Sequence, residues 1–253
     1  MNFFTFIFQE ALYRPLLNIL VFFYNLPFVD FGIAIILLTL LTKALTWKLD
    51  VSAIIKQREA QTKGAEVQEA MNEIKEKYKD DPALQQEEIM KLWKEKKFNP
   101  FSSFVPLIAQ FVIIITLFQL LKNGIGTAQL EMIYSFIERP ISFSSSFLRT
   151  IDLSKPNLIL AILTGFVQFV NSKMTFALQK KHAPKKKKGK EKKPENPMQK
   201  MMQNQMIYFL PLMLIFIYAK FLPAAVALYW FFATIIGIIQ TKTIYGKIEK
   251  KGD

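Results

Sequence analysis

The chain has 253 residues, is 51% hydrophobic with 24 Phe, and still carries a formal charge of +13. Long apolar blocks separated by charged blocks describe an all-α, polytopic membrane protein rather than a soluble domain. The absence of Cys excludes thiol chemistry, a disulfide framework, a Cys-rich metal site and anchoring as a Cys-linked lipoprotein.

Residues 1–27 are apolar but interrupted by Glu10, Arg14, Asn18 and Asn25, which share one helical face by their spacing. With no basic start and no small-residue cleavage site, the segment makes a poor signal peptide. It is read as an amphipathic helix lying in the outer interface, broken at Pro15 and Pro27; a further span over 3–26 is the alternative.

Residues 28–50 form the first expected span. Its core, 31–49, FGIAIILLTLLTKALTWKL, is apolar apart from one charge, Lys43. Nineteen helical residues reach about 28 Å, close to the ~30 Å hydrocarbon thickness of a bilayer. Thr39, Thr42, Lys43, Thr46 and Asp50 step i, i+3, i+4, i+7, i+11, which puts them on one face in the half nearer Leu49. That half must face other helices or water. A charge at mid-bilayer costs roughly 2.5–3.5 kcal/mol on insertion scales. No Asp or Glu falls in the core of any expected span, so water, Gln110, Gln168 and Asn171 are the expected partners of Lys43. The alternative is that its stem snorkels to the nearer headgroups.

In 51–99 apolar residues become sparse. Val67, Met71, Ile74 and Tyr78 repeat at i, i+4, i+7, i+11, a narrow seam along a polar helix. Asp81–Pro82 supplies an N-cap followed by Pro at the first helical position, and Ile89, Leu92 and Trp93 are the seam of a second helix. Together they predict an antiparallel hairpin in water, supported by the i, i+4 pairs Glu73–Lys77 and Glu87–Lys91. A plain solvated spacer is the alternative to a functional arm.

Residues 100–122 contain the second span, with Gln110 and Ile114 inside it, and 123–156 is a loop rich in Ser and aromatics. The third span, 157–178, carries Thr164, Gln168, Asn171 and Thr175 at i, i+4, i+7, i+11. The basic, Pro-containing segment 179–205 contains His182, read as a solvated loop residue because a metal site needs several convergent donors. It cannot bury a core; Lys185, Lys186, Lys187 and Lys188 suit anionic lipid headgroups or ribosomal RNA, and orientation by charge alone is the simpler alternative. Residues 206–240 hold the last two spans, the first only fourteen residues long, and Trp230, Thr234, Gly237 and Thr241 repeat the stripe in the second. A tail, 241–253, follows.

Lys and Arg number 11 in 48–97, 11 in 173–200 and 4 after Gln240, against 6 on the opposite side. The bias predicts an outside N-terminus, with the hairpin, basic loop and C-terminus in the cytoplasm. Lys43 then lies about 9 Å above the cytoplasmic end of its helix. The outer half of that span has nothing polar, so the stripes describe a wet recess open to the cytoplasm and closed outside.

The strings YRPLLNILVFFYNL, FGIAIILLTLLTKALTWKL, KYKDDP, NPFSSFVPLIAQF and LPAAVALYWFFATIIGIIQ, in this order over nearly the whole chain, resemble the YidC family of membrane protein insertases and its mitochondrial and chloroplast relatives. The resemblance implies a bacterial plasma (inner) membrane protein with five spans around a hydrophilic groove, an external amphipathic helix and a cytoplasmic hairpin. It implies nascent membrane proteins as partners, with ribosome and general translocon as further ones. By position, Lys43 stands where the family usually has the groove arginine, Gln168 at the groove glutamine and Trp230 at the groove aromatic; Thr39 and Ile114 fall on the substrate path. The large external domain of Gram-negative members and the lipoprotein Cys of many Gram-positive ones are not expected, which makes this a minimal form.

The expected groove is therefore Thr39, Thr42, Lys43, Thr46, Gln110, Ile114, Gln168, Asn171, Trp230 and Thr234. No cofactor, metal or DNA is expected, and no phosphate-cradling Gly-rich loop or nucleophile–base constellation argues for an enzyme. A small-solute or ion transporter, with the stripes lining a conduit, and a passive assembly scaffold, with the stripes as docking surfaces, are the rival functions; the plainer reading of the Thr and Gln in the stripes is interhelical hydrogen bonding.

Overall fold

The computed structural model describes residues 6, 8–96, 114–115, 118–119, 130–140, 143–181 and 204–252, with backbone alone at 56–66, 68–69, 179–180 and 248–252. Most of the second span, including Gln110, and the basic loop with His182 and Lys185 to Lys188 lie outside the described residues.

The N-terminal helix begins as a wide π turn, Phe8–Tyr13, and continues as α1, Arg14–Tyr24. Pro15 does not break it. A proline has no N–H to give the preceding turn and crowds its carbonyl, and here the turn widens so that Pro15 sits at the start of the regular helix. Leu17, Leu20 and Val21 pack on α2, Phe31–Leu45, whose N-cap is Asp30, with Oδ1 accepting from the Ile33 N–H at 2.9 Å.

The expected first span is not one straight helix. It ends at Leu45, and α3, Trp47–Lys77, leaves at 60°. The hydroxyls of Thr39 and Thr42 bond back to the carbonyls of Ile35 at 2.7 Å and Leu38 at 2.8 Å, the back-bonding that bends helices. α3 turns at Tyr78 and packs on α4, Pro82–Glu95. Asp81 caps α4 through the Leu84 N–H at 3.0 Å. Val67 and Leu92 are buried, and the Trp93 indole N–H reaches Met71 Sδ at 3.4 Å, so the two seams meet. Lys91 bridges Glu87 and Glu88 at 2.9 and 2.8 Å, and these carboxylates raise its pKa.

α5, Leu158–Lys181, packs against both α6, Leu210–Lys220, and α7, Ala224–Gly252, and α7 packs in turn on α2. A second π turn, Gln205–Phe209, leads into α6 ahead of Pro211, repeating the device before Pro15. A Cβ at Gly165 would land on Ile215, so its absence lets α5 and α6 approach closely. Among the described residues, Leu158–Leu178 and Ala224–Lys247 are long and apolar enough to cross a membrane, and the bent pair Phe31–Leu45 plus Trp47–Ile55 is a third if counted as one span. Gln205–Lys220 is a shorter apolar helix. Much of the expected tail, 241–253, continues α7.

Candidate functional site

The three helices α2, α5 and α7 all start at one end of the bundle. A two-stranded hairpin covers it: β1, Ser146–Phe147, pairs with β2, Ile151–Asp152. Carbonyls just after β2 satisfy the first N–H groups of α7, Ala224 to Lys155 O at 2.9 Å and Ala225 to Leu153 O at 3.1 Å, donors that a helix start would otherwise leave orphaned. Asp30 Oδ2 accepts from the Leu148 N–H at 2.6 Å. Phe31 and Phe143 meet edge to face at 4.8 Å, and the Phe147 ring lies directly over Gly32, where any Cβ would collide with it. Leu153 and the run Ala224–Tyr229 are wholly buried beneath this cover.

Polar side chains gather toward the opposite end. Thr39 and Thr42 are buried with their hydroxyls spent on their own helix. Lys43 is half-buried and its Nζ lies 3.1 Å from Asp50 Oδ2. The same oxygen accepts from Thr46 Oγ1 and from Gln240 Nε2, both at 3.3 Å. The expectation that Lys43 has no carboxylate near it is thus corrected. Asp50 lies beyond the apolar core but shares the helical face, and the pair spans the break between α2 and α3. Two residues outside the expected set complete the group: Asp50 itself, visible in the stripe, and Gln240, 99% buried on α7 and 190 residues away, which no local spacing signals.

A second polar pair lies between α5 and α7. Trp230 Nε1 donates to Gln168 Oε1 at 3.4 Å, and Gln168 Nε2 reaches Ser172 Oγ at 3.4 Å. Trp230 also packs on Tyr218 of α6, with ring centroids 6.2 Å apart. Asn171 is half-buried on α5, Thr234 is buried on α7, and Ile114 is half-buried against the main core. Thr164 donates to its own helix at Leu160 O and to Ala227 O of α7, 2.7 and 3.0 Å away, so this stripe member is interhelical glue. The far face of α5 exposes Ile159, Ile162, Leu163, Phe166 and Val170.

The polar face of the N-terminal helix has its own partners. Arg14 pairs with Glu10 at 2.9 Å, donates to Met132 O at 3.1 Å and lies over the Tyr134 ring at 5.0 Å. Asn18 is buried between Met132 O and the Tyr134 N–H, and Asn25 donates to Glu138 O at 2.6 Å. This face grips the backbone of 132–138 rather than lying open.

The sequence resembles known proteins over most of its length. The profile of the family described as 60Kd inner membrane protein matches residues 22–251. The chain is 31% identical over 225 residues to a protein of Clostridium tetani named membrane protein insertase YidC, covering 89% of this chain and 86% of that protein. Proteins of the same name from Haemophilus influenzae and Chlamydia caviae are 29% and 31% identical, over 94% of this chain in each case. The chain spans only 37% and 28% of the length of those two relatives.

Proposed function

Because the chain belongs to the 60Kd inner membrane protein family, we propose that it is a membrane protein insertase, taking hydrophobic segments of newly made proteins from the cytoplasm into the bilayer. In this reading five spans surround a recess, the N-terminal helix lies on the outer surface, and the α3–α4 hairpin receives the nascent chain, with ribosome and translocon as further partners. The observation that carries the reading is the bundle's asymmetry: Lys43, Thr46, Asp50 and Gln240 gather away from an end sealed by Phe147, Phe143 and Leu153.

A polar recess on one side shortens the apolar distance that a hydrophilic tail must cross, and each charged residue spared that crossing spares a cost of several kcal/mol. The Lys43 ammonium attracts acidic tail residues. It is a compact point charge rather than the planar fork of an arginine, so it attracts without bidentate geometry. The apolar segment meanwhile leaves past Trp230 into lipid, along the apolar face of α5, and its burial drives the tail outward. No nucleotide is needed for these steps.

Lys43→Leu should impair insertion of a substrate with an acidic tail more than one with a neutral tail; equal effects would remove the electrostatic step. Photocrosslinking from position 43 during translation should capture the nascent chain. No capture there, with solute uptake or single-channel current in liposomes, would favour a transporter.

A further inference from the structure

We propose that Asp50 is a resident counter-ion that competes with substrate for Lys43 and so sets how acidic a tail must be to engage the recess. The inference rests on the insertase reading above and concerns its selectivity.

One oxygen, Asp50 Oδ2, takes three donors: Lys43 Nζ at 3.1 Å, Thr46 Oγ1 at 3.3 Å and Gln240 Nε2 at 3.3 Å. Two of these come from the bent α2–α3 stretch, and the third comes from a buried amide on α7 that anchors the carboxylate from across the bundle. The ammonium is therefore already neutralised when no substrate is present. Both members of the pair keep access to solvent, with 18% and 20% of their side chains exposed. An incoming carboxylate can reach Lys43, and a displaced Asp50 retains Thr46, Gln240 and water as donors. That combination suits exchange rather than a locked structural bridge.

The consequence is a discount on attraction. A ligand that must displace a resident partner binds more weakly by the factor that the resident interaction contributes. For a solvent-accessible ion pair that factor is about two- to fivefold. A neutral tail neither gains from Lys43 nor competes with Asp50, so its insertion is indifferent to the exchange.

The test uses the full chain in proteoliposomes and one apolar substrate segment bearing either an acidic tail or its Asn/Gln counterpart, with insertion read as protease protection of the tail. Asp50→Asn keeps the shape and the acceptor and removes the charge. The acidic-to-neutral insertion ratio should then rise about two- to fivefold, and the rise should vanish in the double variant with Lys43→Leu. An unchanged ratio, a loss shared equally by both tails, or a rise that survives Lys43→Leu would overturn the proposal. Should Asp50→Asn fail to accumulate, Thr46→Asp adds a second carboxylate beside Lys43 and should lower the ratio; no change there overturns it as well. If the unaltered chain inserts neither substrate above empty liposomes, the insertase reading itself falls.

Discussion

Trp230 of α7 donates its indole N–H to the side-chain oxygen of Gln168 on α5 across 3.4 Å, joining two residues 62 positions apart that each lie on a polar stripe of their own helix. The bond is long and half-buried, so the ring contributes more through its packing on Tyr218 than through the hydrogen bond. Trp230→Phe gives up the hydrogen bond, worth about 0.6 kcal/mol, and only part of the ring, so it should cost clearly less than truncation. Trp230→Ala should cost about 3 kcal/mol or more. Reversible unfolding in detergent micelles separates the two variants, and equal losses would mean that the hydrogen bond dominates.

Asn18 has the opposite balance. Its amide donates to Arg14 O at 2.7 Å and Met132 O at 2.9 Å, its oxygen accepts from the Tyr134 N–H at 2.7 Å, and it is 1% exposed. Asn18→Leu keeps the branched shape but strands the Tyr134 N–H without this acceptor, at a cost of about 1–3 kcal/mol. Proteolysis within 130–140 should accelerate in this variant, while Arg14→Lys, which keeps the charge, should change it less.

These cases mark the limit of what spacing along the chain can tell. The cap Asp81, the seam residues Met71 and Trp93, and the polar stripes of α2 and α5 are local patterns, legible in residue type and spacing. The grip of Arg14, Asn18 and Asn25 on 132–138 is not, because backbone carbonyls more than 110 residues away leave no trace in side-chain identity. From spacing alone the polar face of α1 reads only as one face of an amphipathic helix. The break at Thr46 was hidden for a different reason. Thr39, Thr42 and Thr46 read equally well as a groove lining and as back-bonding residues that bend a helix, and periodicity does not separate the two. Asp50 belongs to the same stripe but lies beyond the apolar core, so the charge content of the core alone does not reveal the carboxylate that pairs with Lys43.

Under the β1–β2 hairpin, the close approach of Phe147 to Gly32 gives a direct handle on how the hairpin packs. A Cβ at position 32 meets the Phe147 ring and its Cβ, neither of which is a freely moving tip. Gly32→Ala should cost about 1–3 kcal/mol, the usual penalty of overpacking. Phe147→Ala in the same chain should recover part of that loss, and the non-additivity of the pair measures the contact. If the hairpin seals the bundle, Gly32→Ala should also raise the labelling of a Cys placed at Leu153 by a membrane-impermeant thiol reagent added from outside.

The same hairpin carries an acid-sensitive group. Asp152 is lowered from its ordinary 3.8 to about 2, first by the Ser154 hydroxyl at 2.6 Å, helped by the Ser154 N–H, the Ser145 hydroxyl and the Lys155 ammonium. A carboxyl that ionises more readily in the folded state binds fewer protons there than when unfolded. Its stabilising contribution is therefore fully present above pH 3.8 and is lost as pH falls from there through about 2. The side chain is 43% exposed, so solvent screens its contacts and the effect is confined to opening of the hairpin rather than global unfolding. Hydrogen exchange at the Leu153 N–H, which bonds Ser145 O at 2.8 Å, should report that opening. Protection corrected for intrinsic exchange should fall between pH 4 and pH 2 in the unaltered chain. Asp152→Asn should show lower protection at pH 5 and little further change on acidification; an identical acid dependence in both would assign the loss to another carboxylate.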